Sequence, residues 1–230
     1  MIAIPEGLVD ATHEALAEFF GLDLSACHGR VEIPRVGRAD LARFFAAAGF
    51  NKGVEIGVLN GDYSAELCRA NPALELWSID PYTFREDYHS WGERTQEDCD
   101  AAYVAASAAL APFNCHLWRE FSLTAVQTFE DHSLDFVYLD GHHNFQNVTN
   151  DICAWSRKLR HGGLCCGHDY FETARPGFGL HVKYVVDAFT KSYGIDPWFV
   201  LGEKRAPAGE RDDHRSFLWV NRPMGLERGR

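Results

Sequence analysis

The stretch "LDGHH" places Asp140, His142 and His143 directly after an apolar run, and "GHDY" places His168 and Asp169 after the next one. Carboxylate oxygens and imidazole nitrogens in this pattern have two chemical uses. They can hold a divalent ion with positions left open for a substrate, or one of them can move a proton. Imidazole has an unperturbed pKa of about 6.5, so its neutral form is plentiful at physiological pH and His143 is a candidate base. The competing account makes each residue a helix cap or a satisfied polar group at a sheet rim. His142 carries only that account, as a loop histidine.

Two earlier strand ends suggest what such a site would work with. In "GVEIGVLNGDYS", Glu55, Gly57 and Gly61 follow the order acidic-x-Gly-x-x-x-Gly, and a helix is expected from about Asp62. Glycines let the backbone approach a ligand closely, and the helix start offers unpaired N–H groups. An adenosine cofactor fits this loop, whereas a dinucleotide's pyrophosphate more usually sits on GxGxxG. In "WSIDPY", Asp80 stands where a carboxylate can accept both hydroxyls of a ribose. The alternatives are a tight strand-to-helix turn for the glycines and an N-cap for Asp80.

These residues need a frame that brings strand ends together. From residue 53 the sequence alternates apolar runs ("GVEIGV", "LELWSID", "NCHLW", "LDFVYLD", "GLCCGHD") with helical segments, among them "YSAELCRAN", "DCDAAYVAASAALA" and "NVTNDICAWSRKL". Strands that are apolar throughout, alternating with helices, imply a parallel sheet covered on both faces. In such sheets ligands bind at the carboxyl ends of the strands. If the two strands before "GHH" and "GHDY" are neighbours, Asp140 and Asp169 emerge side by side. Two amphipathic helices precede the first strand, and "PWFVLGE" and "RSFLWVN", joined by "KRAPAGERDDH", read as a terminal hairpin. The segment "PYTFREDYHSWGERTQEDCD" is long for a crossover and suits a lid or binding element. Its Tyr82, Tyr88, His89 and Trp91 either face an acceptor or anchor the loop.

The chain has 230 residues, 46% of them hydrophobic, enough for one domain with a sizeable core. Its formal charge of -11 and lack of a basic run argue against a nucleic-acid backbone as partner and favour a small molecule. Seven cysteines without a CxxC pair read as buried thiols in a reducing compartment. The start has no basic segment typical of a secretory signal, and no apolar run approaches the ~20 residues needed to span a bilayer, so a cytoplasmic location without membrane contact is expected.

Taken together, "VEIGVLNGDYS", "WSIDPY", "LDFVYLDGHH" and "WSRKLRHGGLCCGHDY" resemble the motifs of class I S-adenosylmethionine-dependent methyltransferases, in a bacterial and phage group, over roughly residues 50 to 220. The resemblance implies a Rossmann-like α/β fold: a seven-stranded sheet, five parallel strands plus a C-terminal antiparallel hairpin, sandwiched by helices. Residues 1–50 would form an N-terminal helical extension, 51–222 the cofactor-binding domain and 223–230 a tail. The implied cofactor contacts are Glu55, Gly57, Val58, Gly61, Ser64, Asp80, Ser122 and Asp140. Gly57 and Gly61 would lie under the methionine part, Asp80 on the ribose and Ser122 near the adenine.

The pattern is also similar to catechol O-methyltransferases. That similarity implies a site for Mg²⁺ or another divalent ion on Asp140, His168 and Asp169, with histidine where that family has aspartate. His143 fills the place of that family's catalytic lysine. The expected activity is therefore methyl transfer from S-adenosylmethionine to a small-molecule hydroxyl, with Asp140 and His143 as catalytic residues. A metal-independent N-methyltransferase, a non-catalytic cofactor-fold module and, more remotely, a dinucleotide-dependent oxidoreductase stand as alternatives. The acceptor and the oligomeric state stay open.

Overall fold

The computed structural model describes residues 7–85, 95–172, 180–203 and 215–222. Within them the elements run α1 (Leu8–Phe20), β1 (Arg30–Ile33), α2 (Arg38–Ala47), β2 (Lys52–Ile56), α3 (Asp62–Ala70), β3 (Glu75–Ile79), α4 (Gln96–Leu110) and β4 (Cys115–Trp118). They continue with α5 (Ser122–Ala125), β5 (Leu134–Leu139), α6 (Phe145–Trp155), β6 (Leu159–Gly167), α7 (Val182–Ser192), β7 (Trp198–Leu201) and β8 (Ser216–Val220).

The strands form one Rossmann-like sheet in the order β1-β7-β8-β6-β5-β2-β3-β4. Every pairing is parallel except those of β8, which runs antiparallel to β6 and β7 and lies between them. The five central strands fall on the apolar runs expected of them. The sheet departs from the expected seven strands because the N-terminal segment is not only helical: β1 adds a strand beside β7, pairing Arg30 with Trp198 and Ile33 with Leu201. Its sequence "RVEI" is short and carries charge at alternate positions, so between two helices it reads as a loop. The "KRAPAGERDDH" connection and the tail lie largely outside the described residues.

Alternation along β5 explains how both faces are filled. Phe136 and Tyr138 point to the α1–α3 side, where Phe136 stacks on Phe45 of α2 at 4.0 Å and Tyr138 meets Tyr63 of α3 at 4.5 Å. Val137 and Leu139 point to the other side and join a core that includes Ile152 and Trp155 of α6 and Val186 of α7. The Phe136 ring also covers Gly53 of β2, where a Cβ would lie 2.2 Å from it. Helix α1 closes the layer by packing on β6, with Thr12 Oγ1 donating to the Gly162 carbonyl at 2.8 Å. At the amino ends, Asp135 accepts from the Asn51 and Lys52 amides and from Arg160, tying β2, β5 and β6 together. Among the described residues no helix is long and apolar enough to cross a membrane.

Phe136 is fully buried between α2 and β2. Replacing it with alanine should lower unfolding free energy by about 3–5 kcal/mol, through lost burial and an unfilled cavity. Urea denaturation of the two proteins measures this, and a loss under about 1 kcal/mol would mean that the layer collapses around the gap.

Candidate active site

Because β2, β3, β5 and β6 are mutually parallel, their carboxyl ends leave the sheet on one edge, and the chemistry-bearing residues gather there. Gly57 follows β2 with φ of 87°, and a Cβ on it would lie 2.1 Å from the Asp140 carbonyl oxygen. Only glycine permits both the left-handed backbone and that approach. Gly61, with φ of 82°, precedes α3, and its α-carbon faces Ala106 of α4 so closely that a Cβ would stand 3.1 Å away. The two glycines therefore let the turn after β2, a cradle of backbone, fit closely between the end of β5 and α4.

Asp80 holds this loop in place. Its Oδ2 accepts the Val58 and Leu59 amides at 2.9 and 3.2 Å, and its Oδ1 accepts the Tyr82 amide at 2.8 Å. A carboxylate offers about four acceptor positions, so one is left for a ribose hydroxyl. Tyr82 is buried, donates to the Leu59 carbonyl at 3.0 Å and packs edge-on against Tyr103. It anchors the loop. Tyr88, His89 and Trp91 lie outside the described residues.

Glu55 and Ser64 support the cradle from beneath. Both are buried, and Ser64 donates to Glu55 and stands 2.6 Å from Ser78 Oγ. Burial pushes the Glu55 carboxyl well above the usual carboxylate range, against the opposing hydrogen bond from Ser64. Val58 is likewise buried, so none of these three side chains is presented to solvent.

At the ends of β5 and β6, Asp140, His143 and Asp169 converge, with one donor atom from each lying within 4.8 Å of the others. His143 Nε2 is 3.4 Å from Asp140 Oδ1 and 3.2 Å from Asp169 Oδ2. Burial alone would lower the His143 pKa. The hydrogen bond with Asp140 and the charges of Asp169 and Asp140 together outweigh it, and the pKa rises above the ordinary 6.5. Asp169 is almost fully buried and holds a left-handed backbone with φ of 58°, a conformation that non-glycine residues adopt at a cost.

Of the residues expected to hold a metal, Asp140, His168 and Asp169, the two carboxylates fall in this trio. His168 Nδ1 lies beside it, 3.8 Å from Asp140 Oδ2 and 3.5 Å from Asp169 Oδ1, so two imidazoles face the same pair of carboxylates. The loop after β5, which carries His143, is latched to the start of α7 by the His181 amide, which donates to the His143 carbonyl. His142 accepts the Asn144 amide, as a loop histidine would.

Ser122 commits its hydroxyl to α6. It donates to Asp151 Oδ1 at 2.5 Å and accepts from Trp155 Nε1 at 2.8 Å, both on α6. A contact with adenine would therefore fall to its backbone at the start of α5. Two residues escaped the sequence reading. Asp151 occupies the buried stripe formed by Val148, Ile152 and Trp155, a visible irregularity in an apolar face. Arg38, at the start of α2, reaches within 3.7 Å of Asp140 Oδ2, and nothing in its spacing marks it.

A family profile described as a methyltransferase domain matches residues 54–170. No curated protein matches the chain by sequence. Among solved structures, an O-methyltransferase from Bacillus cereus in complex with SAH is similar with a TM-score of 0.58 and 14% identity, over 95% of this chain and 93% of that one. TomG, an O-methyltransferase from Streptomyces achromogenes involved in tomaymycin synthesis, in complex with SAM, gives 0.52 and 16% over 96% and 93%. The N-methyltransferase NodS from Bradyrhizobium japonicum WM9 gives 0.51 and 13% over 80% and 94%. At these identities the likeness is one of fold.

Burial pushes Asp151 from 3.8 up to about 6, against the hydrogen bond from Ser122. A carboxyl that holds its proton more tightly when folded binds more protons in the native state between those values. Stability therefore falls as pH rises through that window and is level above it. Asp151→Asn keeps an acceptor for Ser122 and removes the ionisation. The melting temperature of the variant should gain on the parent between about pH 4 and about pH 6 and hold its lead above that. A pH-independent difference would refute the assignment.

Proposed function

This chain belongs to the methyltransferase-domain family, and from that premise we propose that it transfers a methyl group from S-adenosylmethionine to a hydroxyl of a small molecule. The observation that carries the reading is the pairing of a bare-backbone cradle at Gly57 and Gly61 with an ionisable trio at Asp140, directly across a backbone contact. The cofactor's sulfonium supplies an electrophilic methyl carbon, so the chain's own work is alignment and removal of the acceptor proton. In this reading the glycine cradle takes the methionine end, Asp80 shares its remaining acceptor position with the ribose, and the start of α5 meets the adenine. The acidic balance of the chain supports a small acceptor over nucleic acid.

The trio suits a divalent ion, with two carboxylates and one nitrogen as donors. Asp140, His143 and Asp169 would hold it, and a set containing imidazole favours Mn²⁺, Fe²⁺ or Zn²⁺ over Mg²⁺. An ion there would polarise the acceptor hydroxyl and lower its pKa. A metal-independent reading, with an amine acceptor or with His143 as base, also has an observation behind it. Arg38 stands beside Asp140, and the two carboxylates would stabilise the imidazolium formed once a neutral His143 had taken up the acceptor proton.

Asp140→Ala should abolish methyl transfer, and the loss in turnover should far exceed any loss of S-adenosylhomocysteine affinity measured by titration calorimetry, because its carboxylate serves the reacting end. Chelator should abolish turnover, and Mn²⁺ affinity should fall in His143→Gln. Chelator-insensitive turnover combined with a low kcat in His143→Gln would instead favour the base reading. Failure of the parent protein to bind S-adenosylhomocysteine would remove the cofactor assignment altogether.

A further inference from the structure

Arg38 enters the site through the strand that the sequence hides. Since β1 runs parallel to β7, its end points to the same edge as the ends of β2, β5 and β6, and the turn after it delivers Arg38 to Asp140. Tyr63 holds the residue at two points. The guanidinium lies over its ring at 5.2 Å, and its hydroxyl donates to the Arg38 backbone carbonyl at 3.0 Å. Tyr63 belongs to the first turn of α3, two residues after Gly61, which ties Arg38 to the helix that follows the cradle. The guanidinium charge is felt within the cradle's floor, where it opposes the upward shift of Glu55.

We propose that Arg38 binds the α-carboxylate of S-adenosylmethionine. This rests on the cofactor assignment above. The methionine end of that cofactor is a zwitterion, and its ammonium suits an edge lined by Asp80, Asp140 and Asp169. Its carboxylate does not. Brought among those groups it is repelled unless a cation meets it, and Arg38 brings one to the side of Asp140. A guanidinium presents several N–H donors in a fixed fork and can serve Asp140 and a second carboxylate together. About a third of the side chain is exposed, which leaves a ligand access to it.

The test compares two ligands on the full chain by titration calorimetry: S-adenosylmethionine and its decarboxylated form, which keeps adenosine, sulfonium and amine. Arg38→Met preserves the stem over Tyr63 and Arg38→Gln preserves polarity. Each should weaken S-adenosylmethionine about 10- to 100-fold, the worth of a charge-assisted contact, while leaving the decarboxylated compound unchanged or tighter. Arg38→Lys should keep part of the preference. Equal losses for both ligands would make Arg38 a structural residue and overturn the proposal. Unchanged affinities in a parent and variants that all bind S-adenosylmethionine would overturn it too, while sparing the cofactor assignment. A parent that binds neither ligand would overturn that assignment and this proposal with it.

Discussion

The backbone contact between Gly57 and Asp140 sets the scale of the whole site. Strands β2 and β5 end in register, and the Asp140 amide donates to the Ile56 carbonyl at 2.7 Å, so the chain after β2 turns away with its α-carbon against the Asp140 carbonyl. This one approach fixes how far the glycine cradle lies from the ionisable trio. Everything behind it serves to keep it in place. Asp80 pins the loop's amides, Gly61 lets α4 press in through Ala106, and Tyr82 locks Leu59 from the outer side. In a reaction that depends on aligning three atoms, a rigid distance between two strand ends is itself a catalytic asset.

The same edge gathers carboxylates in a chain that is already acidic, and each is handled differently. Asp80 is satisfied by backbone N–H groups. Glu55 and Asp151 are driven toward neutrality by burial, each with a serine hydroxyl for company. Asp140 and Asp169 share the His143 imidazole, and Asp140 also has Arg38. Burial raises the carboxyls of Glu55 and Asp151, whereas Asp140 and Asp169 meet a basic side chain at the strand ends.

Much of this was legible in the sequence, and the pattern of successes has a physical cause. The central strands show as apolar runs because burial on both faces leaves few polar positions, and the residues closing those runs then lie at one edge. Asp140, Gly57 and Asp80 were found that way. What escaped depends on how distant segments dock. Strand β1 has too little apolar content to announce itself, and without it Arg38 has no reason to be near β5. The roles of His143 and His168 hinge on how the loop after β5 is latched to α7, and Ser122's direction on a hydrogen bond to a helix that follows much later in the chain. Local spacing carries no record of either.

Strand β1 also shapes how the molecule can be made. Its only strand partner among the described residues is β7, about 170 residues further along the sequence, and α1 packs on β6. β8, later still, wedges between β6 and β7. Strand β1 and α1 therefore reach their full packing only when segments far along the sequence have found their places. Such long-range closure slows folding.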